Sequence, residues 1–395
     1  MEIKTLPVNN KKILYIQYTN PAAYPPLEHS SRILADRGWE VLFLGTGAYA
    51  ANEMVFKNHP RILIKKMEFC SSGIKQKFHY ACYGLWCLFL VLRWKPRWIY
   101  ASDPLICPIA WLLIPLVGGR VIYHEHDSPS PTSEKKAWFQ RISRKFRQQL
   151  GRKAAIGVLP NQERLENFLQ ETGRMKTTLC VWNCPEAREV QPPLAPTPNQ
   201  SKLKVVYHGS INPLRFPKTI IQAMAFLKDR VELTVIGYET VGYPGYMKQI
   251  FEFAEEKKIS GNINWVGVLP RKSVLPKSAD SSIGLSLMPI ESDDINLRHM
   301  VGASNKPFDY MASGLALLVS DLTDWKEMYV RPGYGLACNP GDPQSIMGAL
   351  QWFLEHPEKT RAMGEAGRNK ILTDYNYEKQ FSPVLELLEN RMGLE

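Results

Sequence analysis

Two apolar runs, Ile283 to Met288 and Ala316 to Val319, bracket a polar loop and a short helix beginning near Lys306, and the second run is reached through Gly314. Short apolar runs without alternation suit strands buried on both faces, and strand, helix, strand is the βαβ unit of a parallel sheet. A chain built on that unit folds as an open α/β sheet. In such sheets the carboxyl ends of the strands face the crevice where ligands bind, so the loop after Met288 opens onto a site.

Asn305 and Lys306 stand at the helix start in this loop, and Asp309 follows at i+4 from Asn305 on the same face. A helix N-terminus attracts anions, a lysine adds a mobile positive charge, and a carboxylate accepts two hydrogen bonds from a vicinal diol. Phosphate plus diol points to a nucleotide. On spacing alone a second reading stays open, in which Asp309 complements the helix dipole and Lys306 is a solvated charge.

The rest of the chain repeats the pattern. Lys12 to Tyr18 is a strand, a Pro-rich loop runs over 20–26, Leu27 to Arg37 is a helix stopped by Gly38, and Glu40 to Leu44 is a second strand. Apolar runs at Trp98 to Ser102, Val121 to Tyr123, Ile156 to Leu159 and Leu179 to Trp182 continue a doubly wound sheet. Pro185, Pro192, Pro193, Pro196 and Pro198 mark an interdomain linker over 185–202. We therefore expect a first Rossmann-like domain over 1–184, a second over 203–375, and a closing helix over 376–395 with Phe381, Leu385 and Leu388 on one face. In the second domain, strand Lys204 to His208 runs into Gly209 and Ser210, and Arg215 precedes the helix Lys218 to Leu227. Small residues, a base and a helix start make a phosphate cradle by type.

The string SNKPFDYMASGLALLVSD resembles the signature segment of the retaining glycosyltransferases of family 4, in which a pattern such as NKxFEYMAxGxPVI is common. Asn305, Lys306, Phe308, Tyr310, Met311, Ala312 and Gly314 match, with Asp309 in place of glutamate. The resemblance implies the GT-B fold: two doubly wound parallel-sheet domains facing a cleft. It also implies that Asp309 binds the donor ribose and that Arg215, at its family spacing from Gly209 and followed by Ala223 and Met224, contacts the diphosphate. Ser210 stands where relatives often have a second base, with Lys218 as a substitute, and Val301 where many carry another acid. Glu291, Asp293 and Asp294 are nearby acids without a match. YHEHDSP is similar to the family's YDxHE segment, which aligns Tyr123, His126 and Asp127 and implies that His126 touches the donor sugar. The first loop, Asn20 to Tyr24, lacks the glycine pair usual in the family.

The implied activity is transfer of a hexosyl group from a UDP- or GDP-type donor with retention, with Arg215 and Lys306 stabilising the leaving diphosphate. Gly209, Ser210 and Asn305 complete the donor site, and neither metal nor further cofactor is needed. A His-X-His zinc site at His124 and His126 is the competing metal reading, with no further ligand evident nearby. Two other readings remain: a sugar-nucleotide epimerase using Glu125 and Asp127 as acid and base, and a non-catalytic nucleotide-sugar-binding partner subunit.

Lys plus Arg exceeds Asp plus Glu by 49 − 38 = 11, which favours anionic partners. No nucleic-acid motif accompanies the charge. FHYACYGLWCLFLVL at 78–92 is apolar, flanked by bases and too short to span a bilayer. In 141–153, six of thirteen residues are Arg or Lys, and Ile142, Phe146 and Leu150 recur every four. The first is a buried or an interfacial helix, and the second either lies on anionic lipid or is a solvated face packed through its three apolar residues. Together they suggest contact with an anionic membrane surface and a lipid-linked acceptor in cell-surface polysaccharide or glycolipid synthesis. Seven scattered cysteines read as reduced thiols, and MEIKTLPVNNKK lacks a signal peptide's apolar core, so we expect a cytoplasmic protein, peripheral on the inner face of the membrane.

Overall fold

The structure, a computed structural model, describes residues 11–48, 54–71, 73–129, 138–193, 202–240 and 242–393. The readings at the first ten residues and over 194–201 of the linker lie outside them. The chain divides into two compact units, Met1–Ala48 with Asn58–Cys180 and Pro383–Glu395, and Tyr49–Lys57 with Val181–Ser382.

The first unit holds seven parallel strands: β1 (Lys12–Ile16), β2 (Glu40–Thr46), β3 (Ile62–Met67), β4 (Trp98–Ser102), β5 (Val121–His124), β6 (Ile156–Leu159) and β7 (Thr178–Cys180). Their order is β3-β2-β1-β4-β5-β6-β7, so the winding reverses between β1 and β4. Helices α1 (Pro25–Asp36), α2 (Ile74–Trp94), α3 (Cys107–Leu113), α4 (Trp138–Lys153) and α5 (Gln162–Thr172) connect them. The central strands are buried along their whole length, which is why they read as uninterrupted apolar runs. Strand β3 escaped the pattern because it is an edge strand that places Lys65 and Lys66 in solvent.

Helix α4 corrects one expectation. Its apolar residues face inward, with Leu150 buried and Phe146 against Trp111. Arg147, however, lies in the core and donates to both Glu125 oxygens at 2.5 and 2.8 Å and to Glu171 at 2.5 Å. One of the bases assigned to a lipid-facing stripe is thus internal.

The second unit holds six parallel strands: β8 (Leu203–Ile211), β9 (Val231–Glu239), β10 (Ile263–Gly267), β11 (Ile283–Ser286), β12 (Ala316–Ser320) and β13 (Gly335–Cys338). The order β10-β9-β8-β11-β12-β13 places its switch point between β8 and β11. Helices α6 (Thr219–Leu227), α7 (Tyr246–Glu256), α8 (Arg271–Ser278), α9 (Ile295–Arg298) and α10 (Asn305–Ala312) lie along this chain order. Alternate residues of one strand serve opposite cores: Ala316 and Leu318 pack on one face, Leu317 and Val319 on the other. The two α/β parallel sheets are those expected from the apolar runs. Strand β13 was missed, being four residues long at the sheet edge.

Helix α10 is pressed onto β11 through one position. A Cβ on Gly284 would fall 2.1 Å from the ring of Tyr310, whose hydroxyl accepts the backbone N–H of His208 at 2.9 Å. We predict that Gly284→Ala destabilises the fold by about 1–3 kcal/mol through overpacking. Urea unfolding would show a lower midpoint, and an unchanged midpoint would refute the packing argument.

Candidate functional site

In the second unit the polar groups gather at the switch point, where β8 ends beside the loop leaving β11. Gly209, near the end of β8, has φ +110°, a value that side chains rarely adopt, and a Cβ there would fall 3.0 Å from Lys306 Cε and 3.3 Å from its Nζ. The lysine therefore lies directly against bare backbone. Asn212 shapes the next turn, its side-chain oxygen accepting the N–H groups of Leu214 and Arg215 at 3.1 Å each. Arg215 is thereby turned back toward the strand and donates to Ser210 Oγ at 3.0 Å. Gly209, Ser210, Arg215 and Lys306 form one cluster, and Asn305, the first residue of α10, is half-buried beside them in sequence.

Lys306 is 7% exposed, and burial together with the positive charge of Arg215 pushes its ammonium down to about 7, against the opposing pull of Asp309. The site thus holds a surplus of positive charge that an anion would relieve. His208, also buried, is held well below its ordinary value by burial and by Lys306 and Arg271, so it is neutral.

Asp309 lies at i+4 from Asn305, as the helical spacing requires, but it is 1% exposed and already engaged. Arg271, the first residue of α8, grips it with two hydrogen bonds of 2.6 and 2.7 Å. The same guanidinium donates to both oxygens of Glu189 at 2.9 and 3.2 Å. His208 Nε2 stands 3.5 Å from Asp309 Oδ2, one of the two oxygens that Arg271 holds. Neither Arg271 nor Glu189 was singled out from sequence as a site residue, because the first read as part of a loop and the second as linker. That linker segment is in fact built into the second unit, with Gln191 N–H donating to Ala312 and Ala187 N–H to Glu378.

Other expected members stand apart. Lys218 is exposed, its ammonium over the Phe253 ring at 5.6 Å. Asp294 caps α9 by accepting from Asn296 N–H at 2.9 Å, while Glu291 and Asp293 are exposed. Among the described residues, no group of three or more His, Cys, Asp or Glu side chains is placed to hold a metal ion.

The first unit has its own polar cluster at its switch point. His126 is 5% exposed, burial pushes its imidazole down to about 3, and its ring lies 3.9 Å from that of His124 and 5.0 Å from that of Tyr24. Its backbone N–H donates to Asp103 at 3.0 Å, and Gln17 donates to the same carboxylate at 3.2 Å. Asp103 follows β4 with φ +70°, a costly backbone for a side chain, and burial with the Asp127 charge pushes its carboxyl up to about 7. Its backbone conformation, burial and raised pKa make Asp103 a candidate site residue that sequence reading passed over. Glu125, in contrast, is committed to Arg147, Tyr123 and Ser128.

Residues 195–370, which include Gly209, Arg215, Lys306 and Asp309, match the model of glycosyl transferases group 1. Comparison with curated proteins by sequence found no match. Among solved structures, HepE from Anabaena in complex with UDP and glucose superposes with a TM-score of 0.71 at 16% identity, over 96% of this chain and 99% of that one. Sucrose-phosphate synthase from Thermosynechococcus elongatus gives 0.72 at 14% identity, over 97% and 100%. WaaG, a glycosyltransferase of lipopolysaccharide biosynthesis, gives 0.67 at 12% identity, over 95% and 99%. These likenesses establish the fold: the chain has the two-domain GT-B architecture that its signature segment implied.

The Lys306 environment predicts a pH dependence. A sugar nucleotide carries no group titrating near neutrality on its diphosphate, so its affinity follows Lys306 and falls, by up to about tenfold per pH unit, as pH rises through about 7. Titration calorimetry with UDP-glucose from pH 6 to 9 would reveal the fall, and Lys306→Met would flatten it; a pH-independent wild type would refute it. Because the folded value lies below the ordinary 10.5, the ligand-free fold binds fewer protons than the unfolded chain between those values and gains stability as pH rises through them.

Proposed function

We propose that this protein is a retaining hexosyltransferase of family 4 that takes its sugar from a UDP- or GDP-type donor without a metal ion. The observation that carries the reading is the Lys306 ammonium lying against the bare backbone of Gly209 beside Arg215. A diphosphate leaving group develops negative charge as the glycosidic bond breaks, and two fixed cations with backbone donors stabilise that charge without reorganising. The proposed donor contacts are Gly209, Ser210, Arg215, Asn305, Lys306 and Asp309. HepE has been crystallised with UDP-glucose, which supports a donor of this class.

Asp309 takes the ribose in this reading, with Arg271 orienting its carboxylate through one bond to each oxygen. His126 contacts the sugar as a neutral hydrogen-bonding group, consistent with its lowered pKa. The acceptor is a lipid-linked or membrane-adjacent sugar of cell-surface polysaccharide or glycolipid synthesis, and the protein works in the cytoplasm. The epimerase alternative loses Glu125, which is saturated by Arg147.

The test is turnover of UDP- and GDP-hexoses with a panel of soluble and lipid-linked acceptors, the anomeric configuration of the product being read by proton NMR. Inversion would overturn retention, and loss of activity in EDTA would overturn metal independence. Asp309→Ala should weaken donor binding about tenfold through the loss of one or two hydrogen bonds, and Arg215→Ala should slow transfer about a hundredfold. Both variants should stay folded, since Arg271 keeps Glu189 in the first and Arg215 sits on a turn in the second. Wild-type affinity and rate in both would sink the site assignment.

A further inference from the structure

Helix α2 is apolar on two opposite faces. Tyr83, Cys87, Leu90 and Val91 are buried against the first unit's core, as an ordinary amphipathic helix would bury them. On the other side Ile74, Phe78, Leu85, Phe89 and Leu92 are 73, 71, 67, 61 and 55% exposed. At 3.6 residues per turn these five fall on one stripe down the full 21-residue helix. Leu112 of α3, 65% exposed, and Leu105 extend the apolar surface beside it, since Gly84 of α2 approaches Ile109 of α3 and Tyr80 donates to the Leu105 carbonyl at 2.7 Å. Water-facing apolar surface of this extent is unfavourable unless something covers it.

The charges around it identify the cover. Neither α2 nor α4 contains a single Asp or Glu. Lys75, Lys77, Arg93 and Lys95 stand at the two ends of the stripe, and Lys153 of α4 lies over Trp111 at 5.2 Å. At the carboxyl end, Phe89, Leu90, Leu63 and Trp94 line an open groove of about 860 Å³, whose charged lining is Arg61, Lys65 and Arg93 with one acid, Glu40. A second copy docking here would bring like charges together, whereas a bilayer with anionic headgroups matches both the stripe and its rim. No helix among the described residues is long and apolar enough to cross a membrane. We propose that the α2 stripe, with Leu105 and Leu112, lies in the plane of an anionic bilayer surface, its apolar side chains among the acyl chains and its flanking bases on headgroup phosphates. The face belongs to the first unit and the Lys306 cluster to the second, so the proposal stands whether or not the transferase reading holds.

The test is flotation of the purified full chain with vesicles of phosphatidylcholine alone and of phosphatidylcholine with a third phosphatidylglycerol. Binding to the anionic vesicles, weakened by salt, is expected. The triple variant Phe78→Ser, Leu85→Ser, Phe89→Ser should lose about tenfold or more of that binding, because three exposed apolar side chains no longer insert. Its melting temperature and UDP-glucose affinity should match the wild type, which separates this face from the nucleotide reading. If the triple variant is unfolded, Leu85→Glu alone serves. Failure of the wild type to float, undiminished floating of the variant, or a wild-type dimer that the variant splits would each overturn the proposal, the last by making the face a contact between two copies.

Discussion

One guanidinium balances two acids in the second unit, and the rest of its site is arranged around that balance. Arg271 holds Asp309 and Glu189 together, and without it a carboxylate that is 1% exposed would lie uncompensated, a situation that costs about 3–5 kcal/mol in buried pairs. Beside this bridge, burial and Arg215 push the Lys306 ammonium down to about 7 against the opposing pull of Asp309. His208 stays neutral under the same cations. The buried Asp309 carboxylate thus depends on a residue from a different helix, 38 positions away.

This explains why the site was only half legible. Lys306, Asp309 and Gly209 announce themselves because local rules govern them: helical i+4 spacing, a helix start, and a glycine that ends an apolar run ahead of a small residue and a base. The Arg271 bridge has no such local rule. It exists only once α8 and α10 are packed side by side, so a basic residue after a proline reads as an ordinary loop charge. Glu189 was hidden by composition, since proline content marks a linker whether or not the segment packs, and here it packs against α10.

The same division separates the strands. Strands buried on both faces, such as β1, β4 and β12, are readable as continuous apolar runs. Edge strands β3 and β13 follow no such run, because solvent permits lysines in one and small size suffices in the other. Basic content misleads in a comparable way. Arg147 looked like one base among six on a lipid-facing helix, yet the burial of Glu125 two residues from β5's last tyrosine demands a buried partner, and the helix supplies it. Charge counted along a helix says nothing of which charge has a partner inside.

Helix α2 shows the converse. Its apolar run was equally compatible with a buried helix and an interfacial one, since periodicity identifies a stripe only when the opposite face is polar. Here both faces are apolar, and only the packing of Tyr83, Cys87, Leu90 and Val91 against the first core decides which half is spent on folding. The remaining half has no folding role, and a sequence that keeps phenylalanine and leucine there, with bases at its ends and no acid along it, carries a surface whose chemistry suits lipid better than water.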